Sequence, residues 1–463
     1  MSLDPSAPSG CPLESSPVPI YEVSSAERAR LWADLRSRYG QIAPIRLEPD
    51  LTAWLLLGYE ENLEVLRDWA TYSRDTRRWN EIRDGRRKLG SGLRPTMAYR
   101  SSALYADGAE HARLIAPIAD ALAQVPEARV RRDITEIADH LIDAFCERGE
   151  ADLVRDYTTP LPALLVNRLF GLGDVYGHAL GHLSASLWAS DGTVGAEAVA
   201  RMRDYFVGLV QRKRVRPGDD LPSRMMAHEA ALSDAEMADQ LIVLAGAGHE
   251  PTANLLGNVL RALLADSRIG RDHASGGLLL DEVIDHVAWS EPPLQMLAAR
   301  FPTRDVEIDG TLVAEGEPLI IGFAAAHADP RLGAGAVPAE SALPPGHNSA
   351  HLMWGVGTHR CPAQSLALRI VRVGVERLLE RLPGVRLAVP AEELRWREEL
   401  FVRGLVSLPV RFPAVEAPPR SPAADEDDAE GGYAEVDGGE EPVDLLGRVL
   451  RWWRGVRAAS TAE

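Results

Sequence analysis

The alternation of apolar and polar residues along the chain predicts a largely helical protein with a few short strands. Residues 52 to 68, TAWLLLGYEENLEVLRD, predict a strand, a Gly-Tyr turn and an amphipathic helix, and long helical patterns dominate from about 110 to 290. Between residues 300 and 325, two β-type runs around Asp-Gly and Glu-Gly turn signals predict a hairpin. The expected fold class is therefore mainly α with small β-sheets.

Both ends of the chain differ from this body. Residues 1–20 are rich in proline and serine and lack apolar periodicity, which predicts a flexible leader and places the structured body at 21–415. Residues 416–444 contain ten acidic residues and no basic one from Asp425 onwards, so we expect a disordered acidic linker there.

Residues 445–458 return to helical periodicity. Leu446, Val449, Leu450 and Trp453 recur at helical spacing with arginines between them, which predicts a short basic amphipathic helix. Two interpretations stay open. The helix docks on its own chain, or it contacts a partner protein or a membrane surface.

Composition excludes several classes of protein. The chain has 463 residues, 46% of them hydrophobic and 25% charged. No apolar run approaches the roughly 20 residues that a membrane-spanning helix needs. The acidic, proline-broken N-terminus differs from a secretory signal, which predicts a cytoplasmic location. A net charge of −18 argues against nucleic-acid binding. Three scattered cysteines form neither a disulfide framework nor a CxxC zinc site.

One cysteine stands in an unusual setting, HLMWGVGTHRCPAQSLALRIV at 351–371. Cys361 directly precedes a helical pattern, where the helix dipole and free backbone N–H groups favour a thiolate, the form that binds metal. Gly355 and Gly357 allow the backbone to pass tightly under a planar ligand. Pro362 suits the first helical turn and has no N–H to offer the sulfur. On these residues alone, a cysteine that merely packs remains equally open.

The whole string resembles the haem-binding loop of the cytochrome P450 superfamily, FGxGxHxCxG. Trp354 takes the aromatic position, His359 and Cys361 match, and Ala363 replaces the last glycine. Four further segments resemble the N-terminal strand and B helix, the C-helix entry, the I helix and the stretch after the K helix: 58–75, 107–114, 241–256 and 300–310. The resemblance runs from about residue 20 to 413.

This resemblance implies an α-helical prism with haem b held between the I and L helices. It makes Cys361 the axial ligand of the haem iron and His111, Arg300 and His359 the partners of the haem propionates. Trp354, Gly355, Gly357 and Ala363 belong to the same cofactor-binding loop. The family's usual C-helix arginine is missing, because its position is Ile115.

The predicted I helix departs from the family pattern. Ser233 and Glu236 form a capping box, and small residues follow at 245–248. Glu250 fits the acid of the family's acid–threonine pair, but the threonine position is Pro251, with Thr252 next. Proline is expected to kink the helix, so Glu250, Pro251 and Thr252 are the candidate catalytic residues for proton delivery.

The predicted K helix departs further. The family's Glu-x-x-Arg falls on His286 and Trp289, and Glu340 stands where a meander arginine is usual. An uncommon actinobacterial-type branch of the superfamily lacks Glu-x-x-Arg, and this chain resembles it. We therefore expect a replacement cluster in which Glu340 pairs with His286 while Trp289 packs and donates its N–H.

The resemblance implies a monooxygenase that takes electrons from a ferredoxin-type donor and its reductase, because the chain has no flavin or nicotinamide motif of its own. The substrate would be an apolar or amphipathic small molecule. Two alternatives stay open, a haem-bound sensor or interaction subunit, which Pro251 favours, and peroxide-driven oxidation. Loops such as residues 77–100 are expected to form the walls of the substrate pocket, but their sequence does not predict which substrate binds.

Overall fold

The computed structural model describes residues 17–90, 93–186, 192–335, 348–418 and 445–460. Helices dominate these residues, and no helix among them is long and apolar enough to cross a membrane. The helices, in chain order, are α1 Arg28–Tyr39, α2 Tyr59–Arg67, α3 Asn80–Arg83, α4 Arg94–Met97, α5 Gly108–Ala123, α6 Glu127–Asp143, α7 Pro160–Leu169, α8 Asp174–Ser186, α9 Gly192–Val215, α10 Leu221–Met226, α11 Asp234–Ala265, α12 Ser267–Ala274, α13 Leu280–Ser290, α14 Phe323–His327, α15 Gln364–Arg381 and α16 Leu445–Ser460.

The strands form small sheets. They are β1 Val18–Pro19, β2 Ile42–Glu48, β3 Leu51–Leu56, β4 Tyr72–Ser73, β5 Glu150–Asp152, β6 Leu297–Pro302, β7 Val306–Ile308, β8 Thr311–Val313, β9 Leu319–Ile321, β10 Arg386–Leu387 and β11 Pro409–Arg411. The largest sheet has the order β1-β2-β3-β9-β6-β4, the second is β10-β11-β5, and β7 and β8 form a hairpin. The predicted fold class, mainly α with small β-sheets, is thus confirmed.

The structured body begins slightly earlier than the sequence predicts. Val18 and Pro19, within the expected leader, form β1 and pair in parallel with β2. Ile20 is buried. Its apolar side chain supplies the stabilisation that holds this first segment against the sheet.

Local sequence explains the start of α11, which lines the site, and the β7–β8 hairpin. The Ser233 and Glu236 side chains each accept from the other's backbone N–H, so the predicted capping box is present at the start of α11. The β7–β8 turn has positive φ at Asp309 and Gly310, 47° and 73°, as a tight hairpin turn requires.

Apolar burial divides into a large helical core and two smaller ones against the six-stranded sheet. Helix α11 runs through the helical core, with α15 and α9 packed along it. Strand β6 and the segment before α15 close the space between the helical core and the sheet. The site lies in this space.

Helix α16 lies against α8 and α9 of its own chain, which favours the first of the two interpretations above. Leu446, Val449 and Leu450 are buried, and a Cβ added to Gly208 of α9 would lie 3.0 Å from Leu446. Trp453 packs on His182 at 5.2 Å between ring centroids. The apolar face expected to meet a partner or a membrane is therefore covered, and docking through it is not supported.

Replacing Val449 by aspartate is expected to detach α16. Burying an unpaired carboxylate would cost more than the roughly 1.5–3 kcal/mol of apolar burial that is lost, so undocking is the cheaper outcome. We expect a lower melting temperature and fast hydrogen exchange in α16. Gly455→Asp adds the same charge at an exposed position with nothing within 4 Å of an added Cβ, and it should change neither quantity. Equal melting temperatures for Val449→Asp and wild type would contradict the docked position.

Candidate functional site

A cavity of about 330 Å³ lies between α11 and the segment that leads into α15. Most of its lining is apolar, with side chains from α5, α7, α11, β6 and α15. Cys361 lines one side and the 246–248 stretch of α11 lines another. The cavity therefore places a thiol opposite the small residues of a long helix.

The cysteine loop is folded by its own backbone. Gly355 and Gly357 have φ of 70° and 73°, a region that disfavours other residues. Gly355 N donates to Leu352 O at 2.8 Å, and Cys361 N donates to Trp354 O at 2.8 Å. The loop thus curls back on itself and presents the sulfur on its inner side. Trp354, Gly355, His359 and Ala363 also line the cavity, whereas Gly357 packs instead against the backbone of Leu66 and Arg67.

Cys361 lies just before α15 rather than in its first turn. The helix begins at Gln364 with Ala363 as N-cap residue, so Pro362 precedes the helix, contrary to the prediction. Burial raises the pKa of the Cys361 thiol, while the Ala363 N–H and the nearby Arg360 act in the opposite direction. A metal cation bound at the sulfur would deprotonate a thiol in this position. Ala363 supplies the backbone N–H that Pro362 lacks.

Basic side chains cluster next to the cysteine loop, two of them, His111 and His359, at the cavity wall. The His111 and His359 rings lie 4.2 Å apart between centroids, and Arg300 on β6 is 1% exposed. Burial lowers the pKa of His359 to about 3, and it lowers the pKa of Arg300 well below its usual value. The Nε and Nη1 atoms of Arg300 have no hydrogen-bond partner among the described residues.

These residues fit haem. A buried guanidinium with unpartnered donors is costly unless an anion neutralises it, and haem carries two propionate carboxylates. A thiol on the inner side of a glycine loop offers a single soft ligand, and the apolar lining suits a flat macrocycle. Cys361 would hold the iron, and Arg300, His111 and His359 would hold the propionates.

The structure separates the three predicted catalytic residues. Pro251 and Thr252 line the cavity, and Thr252 Oγ1 donates to Gly248 O at 2.7 Å. Helix α11 continues through Pro251 without a break. Glu250 points elsewhere. Its buried carboxylate pairs with Arg397, and Asn254 Nδ2 donates to it at 3.3 Å.

Trp289 on α13 packs within a cluster that the sequence did not reveal. Its Nε1 donates to Asn348 O at 2.8 Å, and its ring lies 4.8 Å from that of His327. Leu352 N, at the start of the cysteine loop, donates to His327 Nε2 at 2.9 Å. Helix α13 therefore braces the cysteine loop through a tryptophan and a neutral histidine.

Asp285 supplies the acid of this cluster. It is buried on α13 and lies 3.4 Å from His351 Nε2, whose ring is 6.3 Å from His327. His286 faces another way, towards Asp266, and burial lowers its pKa. Glu340 lies outside the described residues, so its pairing with His286 stays a prediction. The acid on α13 is thus Asp285, one residue before His286, where the family's Glu-x-x-Arg motif would place its glutamate.

Comparisons with known proteins agree with this geometry. No family model matches the chain. Nocardicin C N-oxygenase of Nocardia uniformis is 30% identical over 378 residues, which cover 80% of this chain and 92% of that protein. The cytochrome P450 monooxygenase PikC of Streptomyces venezuelae is 28% identical over 395 residues, 82% of this chain and 90% of PikC.

Solved structures agree in shape. CYP154C4 from Streptomyces sp. W2061 is 26% identical with a TM-score of 0.77, covering 85% of this chain and 97% of that one. The tirandamycin C-bound P450 monooxygenase TamI is 26% identical with a TM-score of 0.74, covering 84% and 98%. With a cysteine loop, a buried cluster of two histidines and an arginine, and relatives matched along nearly their whole length, this chain belongs to the cytochrome P450 superfamily, whose cofactor is haem.

Proposed function

We propose that this protein is a haem-thiolate monooxygenase in which Cys361 is the axial iron ligand. The observation that carries the proposal is the position of Cys361 in one cavity with His111, His359 and the small residues of α11. The buried Arg300, whose Nε and Nη1 atoms have no partner among the described residues, lies next to these two histidines. Relatives with this fold are monooxygenases and hydroxylases. A thiolate-ligated haem supplies oxygen activation by favouring cleavage of the O–O bond.

The side chains of this protein bind and orient the substrate and hold a proton. Leu169, Phe170 and Leu244 are among the apolar residues that line the cavity and exclude water, which favours an apolar or amphipathic small molecule. Gln240 and Arg100 also line it and can orient a polar substituent. Thr252 Oγ1 holds a proton at the cavity wall, on the acceptor Gly248 O, and is therefore the hydroxyl proposed for proton delivery.

Glu250 is proposed to position α11 and not to touch the substrate. Its carboxylate is fixed by Arg397 and Asn254, and it does not line the cavity. Electrons are proposed to come from a ferredoxin-type donor with its reductase. The exposed Arg67 adjoins Gly357 on the outer side of the cysteine loop, and such a cation suits an acidic electron donor.

The sensor alternative is favoured by Pro251, which removes a hydroxyl from the cavity wall. Turnover distinguishes the two functions. A sensor would bind ligands with a change of iron spin state and form no product with any electron donor or with peroxide. The monooxygenase forms a product that contains one oxygen atom from O2, and peroxide-driven oxidation would form it without an electron donor.

The reduced protein with carbon monoxide is expected to show the Soret band of a thiolate-ligated haem. In Cys361→His the band should move to the position of an imidazole-ligated haem, because the sulfur no longer donates electron density to the iron. Cys146→Ser, which removes the other described cysteine in a buried position away from the cavity, should leave the band unchanged. A wild-type spectrum without the thiolate band would refute the assignment of Cys361.

A further inference from the structure

Arg74 is a buried arginine that the sequence comparison with the family did not single out. It follows β4, whose Ser73 pairs with Phe301 of β6, next to Arg300. Arg74 is 3% exposed and lines the same cavity as His111 and His359, and it interacts electrostatically with the buried Arg300. Pairing of these two strands therefore brings the guanidinium group of Arg74, at the cavity wall, close to that of Arg300.

The charges in this corner do not balance. Asp107 is the carboxylate that interacts with both arginines, and the guanidinium of Arg74 itself disfavours the charge on Arg300. The Asp107 carboxylate already accepts from Ser73 Oγ at 2.5 Å and from Arg74 N at 3.0 Å, and it lies 3.2 Å from His359 Nε2. One buried positive charge is left without a counterion among the described residues. Such a charge requires an anionic ligand.

The guanidinium of Arg74 is held in one orientation. Its Nε donates to Leu104 O at 3.0 Å, and its Nη1 donates to Ala299 O at 3.1 Å and to Ala298 O. These bonds use two of its nitrogen atoms, and Nη2 donates to no described residue. Arg74 therefore presents a fixed, partly unused fork of N–H donors beside the cavity, the geometry that carboxylates prefer.

We propose that Arg74 binds a haem propionate together with Arg300, and so replaces the guanidinium that α5 lacks at Ile115. This rests on the proposed haem-thiolate function. Ile115 lines the cavity on the α5 side, where the family usually provides this cation. The cation has thus moved from α5 to the segment after β4, and its carbonyl contacts hold it there.

The test compares haem with its dimethyl ester, in which both propionates are neutral. In the holoprotein, Arg74→Gln should transfer natural haem to excess apomyoglobin about tenfold faster or more, since a hydrogen bond to a charged group is lost. Arg78→Gln, an exposed arginine four residues on, should not change the rate. With the dimethyl ester, wild type and Arg74→Gln should lose the macrocycle at rates within about twofold of each other.

If Arg74→Gln speeds the loss of the dimethyl ester as much as it speeds the loss of natural haem, the proposal is overturned. Arg74 would then be only a structural link between Leu104 and Ala298. Adding Ile115→Arg to Arg74→Gln should slow haem loss again. If Arg74→Gln does not fold, Arg74→Lys, which keeps the charge but not the fork, gives the same comparison with both macrocycles. Failure of the proposed function is distinct, because the wild type would then show no thiolate Soret band.

Discussion

Replacing Arg397 by methionine is expected to destabilise the protein by about 3–5 kcal/mol, the usual cost of leaving a buried charge without its partner. Arg397 Nη2 contacts the buried carboxylate of Glu250 and donates to Asn254 Oδ1 at 2.7 Å, and its Nη1 lies 3.5 Å from Glu399. Glu250 is 2% exposed. Methionine retains much of the volume, so the loss reports on charge.

The pH dependence of this variant follows from the same contacts. Burial raises the pKa of Glu399 to about 7 even with Arg397 nearby, and Arg397 acts to lower it. Without Arg397 the pKa of Glu399 should rise further, which favours its protonated form, so the variant should lose more stability at pH 8 than at pH 6. Urea denaturation at both pH values measures this difference.

Two control variants separate charge from packing. Arg395→Met removes an exposed arginine two residues away and should leave the unfolding free energy within about 0.5 kcal/mol of wild type. Arg397→Met combined with Glu250→Gln should recover most of the loss, because no charge then remains at position 250. A double variant no more stable than Arg397→Met would show that Arg397 acts by packing alone.

Elements specified by adjacent residues were predictable from the sequence. The β3–α2 unit, the β7–β8 hairpin and the capped start of α11 each depend on residues within a few positions of one another. The motif around Cys361 worked in the same way. It placed the cysteine, His359 and two glycines in one loop, and the structure brings His111 to the same cavity with Arg300 next to it.

Contacts between distant residues were not predictable. Arg74 reaches the cavity because a two-residue strand pairs with β6, which lies more than 200 residues further along. Arg397 pairs with Glu250 across a separation of 147 residues. Because the residues around Glu250 gave no sign of this partner, the sequence analysis wrongly expected the Glu250 carboxylate to face the site. A single sequence contains no signal for such pairings, since short strands and single ion pairs leave no periodic pattern.

Asp285 was missed for a different reason. The predicted positions assumed the family spacing on α13, whereas the acid that braces the loop stands one residue earlier and faces His351. One residue on a helix rotates a side chain by about 100°, so adjacent positions serve different neighbours. Trp289 packs and donates its N–H as predicted, but its neighbours are His327 and His351, which the sequence analysis had not placed there.

Acid should destabilise the cysteine loop through His327. This ring is fully buried, its Nε2 accepts the Leu352 N–H, and burial, with a contribution from His351, lowers its pKa to about 3. The neutral ring therefore carries its proton on Nδ1, and a second proton at Nε2 would abolish the bond that begins the loop. In the unfolded chain the same histidine takes up its proton near pH 6.5.

The direction of this pH dependence of stability follows from proton binding by His327. Below pH 6.5 the unfolded state binds a proton that the folded state does not, so stability is complete above this pH and falls by up to about 1.4 kcal/mol per pH unit towards pH 3. His327→Gln keeps an acceptor for Leu352 but cannot be protonated. Its unfolding free energy should therefore fall less steeply than that of wild type between pH 6.5 and 5.

Two other titratable side chains lie near His327. His351 faces the ring from the cysteine loop and lies 3.4 Å from Asp285 of α13. Both remain in the variant, so the difference between the two profiles reports on His327. His140→Gln removes an exposed histidine on α6 and should follow the wild-type profile. Parallel profiles for His327→Gln and wild type would mean that the ring takes up its proton at the same pH in the folded and the unfolded protein. The thiolate Soret band of wild type should persist to pH 5 and fade only as the pH approaches 3, because protonation of the folded His327 ring then breaks the bond at which the loop that carries Cys361 begins.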